Sequence, residues 1–439
     1  MMNLFRHSLL TLLGTLCFFL TGLSQETLTL EEAIQTGLEN NYRVRIARNS
    51  EAIAANSNNH GAAGFLPRLS TTGSVSHTSN NTVQKLFSGD ERTGRGAGFT
   101  SVRAGLSLDW TAFDGFAMFA VKDRLDLQEQ RSRTFTQRAM HDLVTQIQNV
   151  YFGIVRIRQQ VDITEQSIQL NRDLQELAEA KLQIGTGTAL QVLQTTNRVA
   201  ADSSALLNQI DQLQQAKISL NRLMGRDPRA AFVVSPDVPQ VALPTLNELT
   251  QLAIRQNHDV RLLQYDERIA LTQIKEVRSA LYPQLDFNAG YNYSYSRAEI
   301  GFALSNRSFG PTIGLGVSYN LFPGRNIRKD MDNAELFKQN VILSREELEE
   351  DLRADLAVLY QDYIALRELL DLERRNVATA EQNTSLARQL YRSGRATNFD
   401  VREAILTEIQ VKDRLSDVQF RLKMTEIELK SLAGIPLYE

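Results

Sequence analysis

The chain has 439 residues, a formal net charge of −3 and one cysteine. That charge balance argues against nucleic acid as a partner, and length alone would allow two or three domains. The lone Cys17 lies in an N-terminal apolar run, so a mature chain without that run would need no disulfide in an oxidising compartment.

Arg6 precedes an uncharged stretch from Ser8 to Leu23, and the small residues Gly22 and Ser24 stand just before Gln25. This pattern predicts a secretory signal peptide over residues 1–24. The stretch is short of the roughly 20 residues that span a bilayer as a helix. Leu16 before Cys17 is not the small residue that a lipoprotein site needs. After Gln25 no uncharged apolar run is long enough to cross a membrane as a helix.

The segment LTLEEAIQTGLENNYRVR from Leu28 returns as PTLNELTQLAIRQNHDVR from Pro244. At the same offset FLPRL, ending at Leu69, meets LYPQL, ending at Leu285. A second, slightly shorter offset then holds: Phe113-Asp114-Gly115 falls on Phe322-Pro323-Gly324, Tyr151 on Tyr360, Gly185 on Gly394, and Leu223-Met224-Gly225 on Leu432-Ala433-Gly434. Two long constant offsets predict two structural repeats, residues 25–235 and 236–439. The unit is too long for a solenoid, so each repeat is half of one structure.

Within each half a short helical stretch leads to the proline, and two alternating segments follow. These are expected as strands at about 68–84 and 99–113, and at about 284–296 and 308–322. In the second half Leu285, Phe287, Ala289, Tyr291, Tyr293 and Tyr295 share one phase, and Asp286, Asn288, Gly290 and Asn292 the other. Ile313, Leu315, Val317 and Tyr319 alternate with Gly314, Gly316, Ser318 and Asn320; Val102, Ala104, Leu106, Leu108 and Trp110 alternate with Arg103, Gly105, Ser107 and Asp109. Period two with one apolar face is a strand with one dry and one wet side. The Leu285–Tyr295 stretch matches the roughly 9–11 residues that cross a bilayer as a tilted strand. A sheet packed on a soluble core would alternate in the same way.

The long segments weigh against such a core. Gly115 to Gln183 and Asn326 to Arg392 contain no proline and almost no glycine. At about 1.5 Å per residue each would be a rod on the order of 100 Å long. Leu206, Ile210, Leu213, Lys217, Leu220 and Met224 step by fours and threes, a coiled-coil seam with one lysine. Two strands per half cannot close a barrel, and an open sheet edge has no place in lipid. If the strands cross a membrane, several chains share one barrel.

In order and doubled spacing, the LTLEEAIQTGLENNYRV opening, the FLPRL and LYPQL steps, the AFDG and LFPG strand exits, the turns IGTGTALQVL and SGRATNFDV and the closing LAGIP resemble the TolC family of outer-membrane efflux proteins. The resemblance covers the whole chain after the leader. It implies a mainly α fold with a membrane β-barrel. A homotrimer would form a twelve-stranded barrel, set in outer-membrane lipid, on an α-helical periplasmic tunnel. It implies a passive exit duct in the outer membrane of a Gram-negative bacterium. Its partners would be a periplasmic adaptor (membrane fusion) protein and an inner-membrane pump of the resistance-nodulation-division, ABC or major facilitator type.

The resemblance also assigns sites. The turns at Gly185, Thr186, Gly394 and Arg395 would meet the adaptor, and Tyr391 would help to hold the periplasmic aperture shut. Asp400 and Glu403 would form an acidic ring, three copies of each favouring cations at a constriction. Asp400 also suits a helix start after Thr397 or Asn398. Ala396 and Gln191 stand where the family places a bridging arginine and aspartate, so that bridge is not expected. Tyr291, Tyr293, Val317, Tyr319 and Trp110 would face lipid.

No cofactor is implied. His7, His60, His77, His141 and His258 show no metal-ligand or catalytic spacing, so neither enzyme activity nor a metal site is expected. The GRGAG string at Gly94–Gly98 is expected as a flexible outer loop of the first hairpin rather than a phosphate loop. The rival reading is a secreted helical adhesin or scaffold with a soluble β domain, which would bury the apolar strand phase.

Overall fold

The computed structural model describes residues 27–437 apart from Val238 and Gln240, so the expected signal peptide lies outside the described residues. In chain order the elements are β1 (Thr27–Leu28), α1 (Leu30–Asn40), α2 (Tyr42–Ser57), β2 (Arg68–Lys85), β3 (Glu91–Phe113), α3 (Ala117–Gln183), α4 (Ala189–Met224) and β4 (Val233–Val234). The second half continues with α5 (Leu246–Gln256), α6 (His258–Ser279), β5 (Gln284–Ala298), β6 (Ser305–Ser318), α7 (Asn326–Arg392) and α8 (Asn398–Leu432). No described helix is long and apolar enough to cross a membrane.

The repeat is legible in the helix starts. Thr29 caps α1 and Thr245 caps α5, each in a reciprocal box with Glu32 or Glu248. Thr188 caps α4 with Gln191, and Thr397 caps α8 with Asp400. Such a box satisfies two otherwise orphaned backbone donors, so each threonine fixes where its helix begins.

The chain divides into two compact units that cut across the repeats. One takes residues up to Ile46, Arg138–Asn257 and Leu352 onward. It is helical, with β1 and β4 forming a short parallel pair. Its two main cores repeat each other: Ile147 and Leu220 anchor the first, Leu356 and Leu429 the second, all fully buried. Each such side chain contributes about 1.5–3 kcal/mol by leaving water. Tyr151 stitches the first core to the strand pair, its hydroxyl donating to the Leu28 carbonyl at 3.0 Å and accepting from Ser235 N–H at 3.1 Å.

The expected α4 seam is divided. Leu213, Leu220 and Met224 are buried, whereas Ile210 stays exposed. Higher on the same helix Asp202 is buried among polar partners. Ser167 Oγ and Asn171 Nδ2 donate to its Oδ2 at 2.7 and 2.9 Å. At the repeat-related positions of Asn171 and Asp202 the second half has Ala380 and Val411, both buried and apolar, while that of Ser167 is Asn376, which bonds to Glu373 on its own helix. At this level the first helix pair is joined through a buried carboxylate, whereas the second is joined by the Thr384 hydroxyl donating to the Ala404 carbonyl at 3.1 Å.

The other unit, Ala47–Gln137 with His258–Asp351, carries the sheet. Its strand order is β2-β3-β5-β6, all neighbours antiparallel. β3 and β5, one from each half, pair at the centre. β3 and β6 differ most from the expected bounds, and β6 already begins at Ser305, opposite Arg297. β3 begins at Glu91, because residues 91–98 go on pairing with β2 after β5 has ended. β6 stops at Ser318, opposite Gln284, because Pro283 ends the partner strand; Tyr319 lies just beyond the ladder. The GRGAG string is not a loop. It runs within β3 around a bulge, with Gly96 at φ 65° and its N–H bonded to Asn81 Oδ1 at 2.8 Å. The hairpin turn itself spans residues 86–90.

Candidate functional site

Both helix turns close in the same way. After α3, the Lys181 carbonyl accepts from Thr186 N–H and Gly187 N–H, each at 2.9 Å, with Gly185 at φ 76°. After α7, the Leu390 carbonyl accepts from Arg395 N–H at 2.8 Å, with Gly394 also at φ 76°. A side chain built on either glycine would touch nothing within 4 Å. Backbone conformation alone, not crowding, therefore favours glycine at these two positions. Thr186 and Arg395 are exposed beside them.

Asp400 is exposed and closes the cap of α8. Its Oδ2 accepts from Thr397 N–H and Thr397 Oγ, both at 2.7 Å. These bonds favour the carboxylate and hold its pKa below the ordinary value. Glu403, also exposed, follows one turn later. The cap residue is Thr397 rather than Asn398, whose side chain is buried.

Tyr391 sits inside the protomer at 4% exposure, packed with Leu174, Val401 and Ile405. Lys181 Nζ lies 3.5 Å from its ring centroid, a close cation–π contact between the ends of α3 and α7. Its hydroxyl has no hydrogen-bond partner among the described residues. A salt bridge from Arg388 to Asp173 at 3.2 Å joins the same two helices. Lys181, Asp173 and Arg388 were not singled out in the sequence. Each meets a partner some two hundred residues away, and no local pattern reports such a contact.

The strand faces carry the second set of residues. The register sets Leu69, Leu108, Ala289 and Ile313 in one row across all four strands. The rows beside it hold Trp110, Phe287 and Leu315, and then Leu106, Tyr291 and Pro311. One whole face is therefore apolar, and it is open: Leu69, Ile313, Leu315 and Val317 are 65–75% exposed. Trp110 is 40% exposed and donates its indole N–H to the Phe65 carbonyl at 3.0 Å. Tyr293 lies in the row of Ala104 and Phe309. The opposite face holds rows such as Ser70, Ser107, Gly290 and Thr312. The outer edges of β2 and β6 pair with no described strand.

The model of the family described as "Outer membrane efflux protein" matches residues 33–226 and again 249–435, once per repeat. The chain belongs to the outer membrane efflux protein family. This family member is 24% identical over 411 residues to the cation efflux system protein CusC of Escherichia coli O157:H7, covering 91% of this chain and 85% of that protein. It is 21% identical to the proteases secretion protein PrtF of Dickeya chrysanthemi, covering 96% and 91%. Its fold matches that of the outer-membrane channel OprN with a TM-score of 0.76 at 16% identity, over 93% of this chain and 90% of that one. No group of three or more described His, Cys, Asp or Glu residues is placed to hold a metal ion.

Proposed function

We infer that this efflux protein is the outer-membrane exit duct of an efflux or secretion system, passing substrates delivered from the inner membrane across periplasm and outer membrane. The observation that carries the reading is the four-stranded sheet, with one apolar exposed face and two unpaired outer edges. Unpaired backbone groups cannot remain in hydrocarbon, so four strands need further copies to close. Three chains closing a twelve-stranded barrel meet that need. A soluble scaffold would bury the apolar phase, and exposures near 70% at Leu315 and Val317 favour lipid instead.

The finer assignments rest on this frame. Its partners would be a periplasmic adaptor and an inner-membrane pump. The adaptor would engage the exposed turns at Gly185–Thr186 and Gly394–Arg395. Asp400 and Glu403 would contribute to an acidic ring around a threefold axis, Asp400 serving as partner of the Thr397 cap and ring member together. Tyr391 would act from within the protomer, tying α3 to α7, rather than as an exposed plug. The decisive experiment is the native mass of detergent-extracted protein. A trimer is expected, and a stable, water-soluble monomer would sink the proposal.

A further inference from the structure

We propose that the outer end of the lipid-facing sheet is a binding rim for phosphorylated glycolipid headgroups of the outer leaflet, formed by Arg297 and Arg307. The inference rests on the membrane-duct reading and adds a lipid ligand to it.

The apolar rows run from Leu285 to Tyr295 on β5. At about 3.3 Å per residue this is roughly 33 Å of strand. A barrel tilt near 40° reduces it to about 25 Å, the height of an outer-membrane apolar band. The band therefore ends at the row Val75, Val102, Tyr295 and Arg307. The next row on the same face is wholly polar: His77, Thr100, Arg297 and Ser305. Arg307 and Arg297 are diagonal neighbours there, within reach of one ligand.

Both hairpins, at residues 86–90 and 299–304, lie at this end of the sheet, while α2, α3, α6 and α7 join it at the other. On the duct reading the helix-bearing end of the sheet faces the periplasm, which places the arginines at the outer leaflet. The helix-side end of the apolar face closes on Phe113, Leu285 and Val317, without a cation.

The side chains are placed to receive an anion. Arg307 rests against two rings, its guanidinium carbon 5.5 Å from the Tyr293 centroid and 5.8 Å from that of Phe309. Stacking on aromatics fixes the plane of the fork and leaves its N–H groups to solvent. Both arginines are exposed, and neither side chain forms an ion pair with a described carboxylate. The nearest acid along the face, Glu299, turns instead to the Gly98 N–H at 2.8 Å. His77 adds a polar ring bonded to Thr100 Oγ at 2.9 Å. Unpaired guanidinium forks at headgroup depth match phosphate oxygens, which they bind in bidentate fashion.

The test uses the full-length protein purified from outer membranes and delipidated. Lipopolysaccharide, its dephosphorylated form and inorganic phosphate are added separately, and binding is read by native mass spectrometry and thermal shift. Lipopolysaccharide alone should bind and raise the melting temperature. Arg297→Gln with Arg307→Gln should weaken that binding about tenfold or more, with trimer mass unchanged. Arg307→Lys should fall between, keeping charge without the stacked fork. Undiminished binding by the double variant overturns the rim. Equal response to the dephosphorylated glycolipid or to free phosphate also overturns it. A parent chain that never inserts into a membrane sinks the duct reading itself, a result separable from an inserted trimer that ignores the lipid.

Discussion

Ile313→Arg puts one charge near the centre of the apolar face. Ile313 is 75% exposed and pairs with Ala289, next to the midpoint of the band between Leu285 and Tyr295. An arginine at the bilayer midplane of a barrel costs about 2–4 kcal/mol, falling to about 0–1 near the interfaces. The larger cost is a shift of roughly thirtyfold to several hundredfold in the folding equilibrium. Val317 belongs to the same face but pairs with Leu285, in the last apolar row. Val317→Arg should therefore be nearly neutral. Thr312→Arg, one residue from Ile313 but on the wet face opposite Gly290, should fold normally and narrow the pore. Urea titration of vesicle-inserted protein measures the stability of all three, and single-channel conductance reads the pore effect of Thr312→Arg. Equal penalties for Ile313→Arg and Val317→Arg would refute the depth assignment. A larger penalty for Thr312→Arg than for Ile313→Arg would reverse the faces.

Gly394→Val forces a β-branched residue to φ 76°, costing about 1–2 kcal/mol locally. Export should be lost while trimer mass and membrane location persist, and normal export would remove the adaptor contact from this turn. Asp400→Asn with Glu403→Gln keeps a capping group but removes the charges, so planar-bilayer recordings should register lower cation preference; unchanged selectivity would count against the ring. Because hydrogen bonds depress the Asp400 pKa in the folded chain, its contribution is present above the unfolded carboxylate value. It should be lost as pH falls through the lower folded value; an Asp400→Asn chain that loses tip helicity with acid as steeply as the parent would contradict this. Tyr391→Phe should be close to silent, since the hydroxyl is unpartnered among the described residues, whereas Tyr391→Ala removes a buried ring and should cost about 3–5 kcal/mol. Chemical denaturation of the two variants reads the difference, and equal losses would give the hydroxyl a partner supplied by another chain.

The sequence by itself determined the repeat, the strand phases, the glycine turns and the family. These are local or periodic properties. Alternation at Val102–Trp110 and Leu285–Tyr295 needs only neighbours in the chain to be read, and Gly185 and Gly394 mark turns whose left-handed backbone glycine adopts most readily. Only the tertiary structure decided what depends on partners distant in sequence. The pairing of β3 with β5 aligns the apolar phases of the two halves into one face, and the pairing of β5 with β6 sets the rows of Val317 and Ile313 on it. The continued β2–β3 pairing turns Gly94–Gly98 from a loop into a bulged strand. Asp400 becomes the capping-box partner of Thr397, Tyr391 is covered by the Leu174 helix, and Lys181 comes to rest over its ring. Periodicity states which side of an element is dry, but it carries no information about which element arrives to cover it.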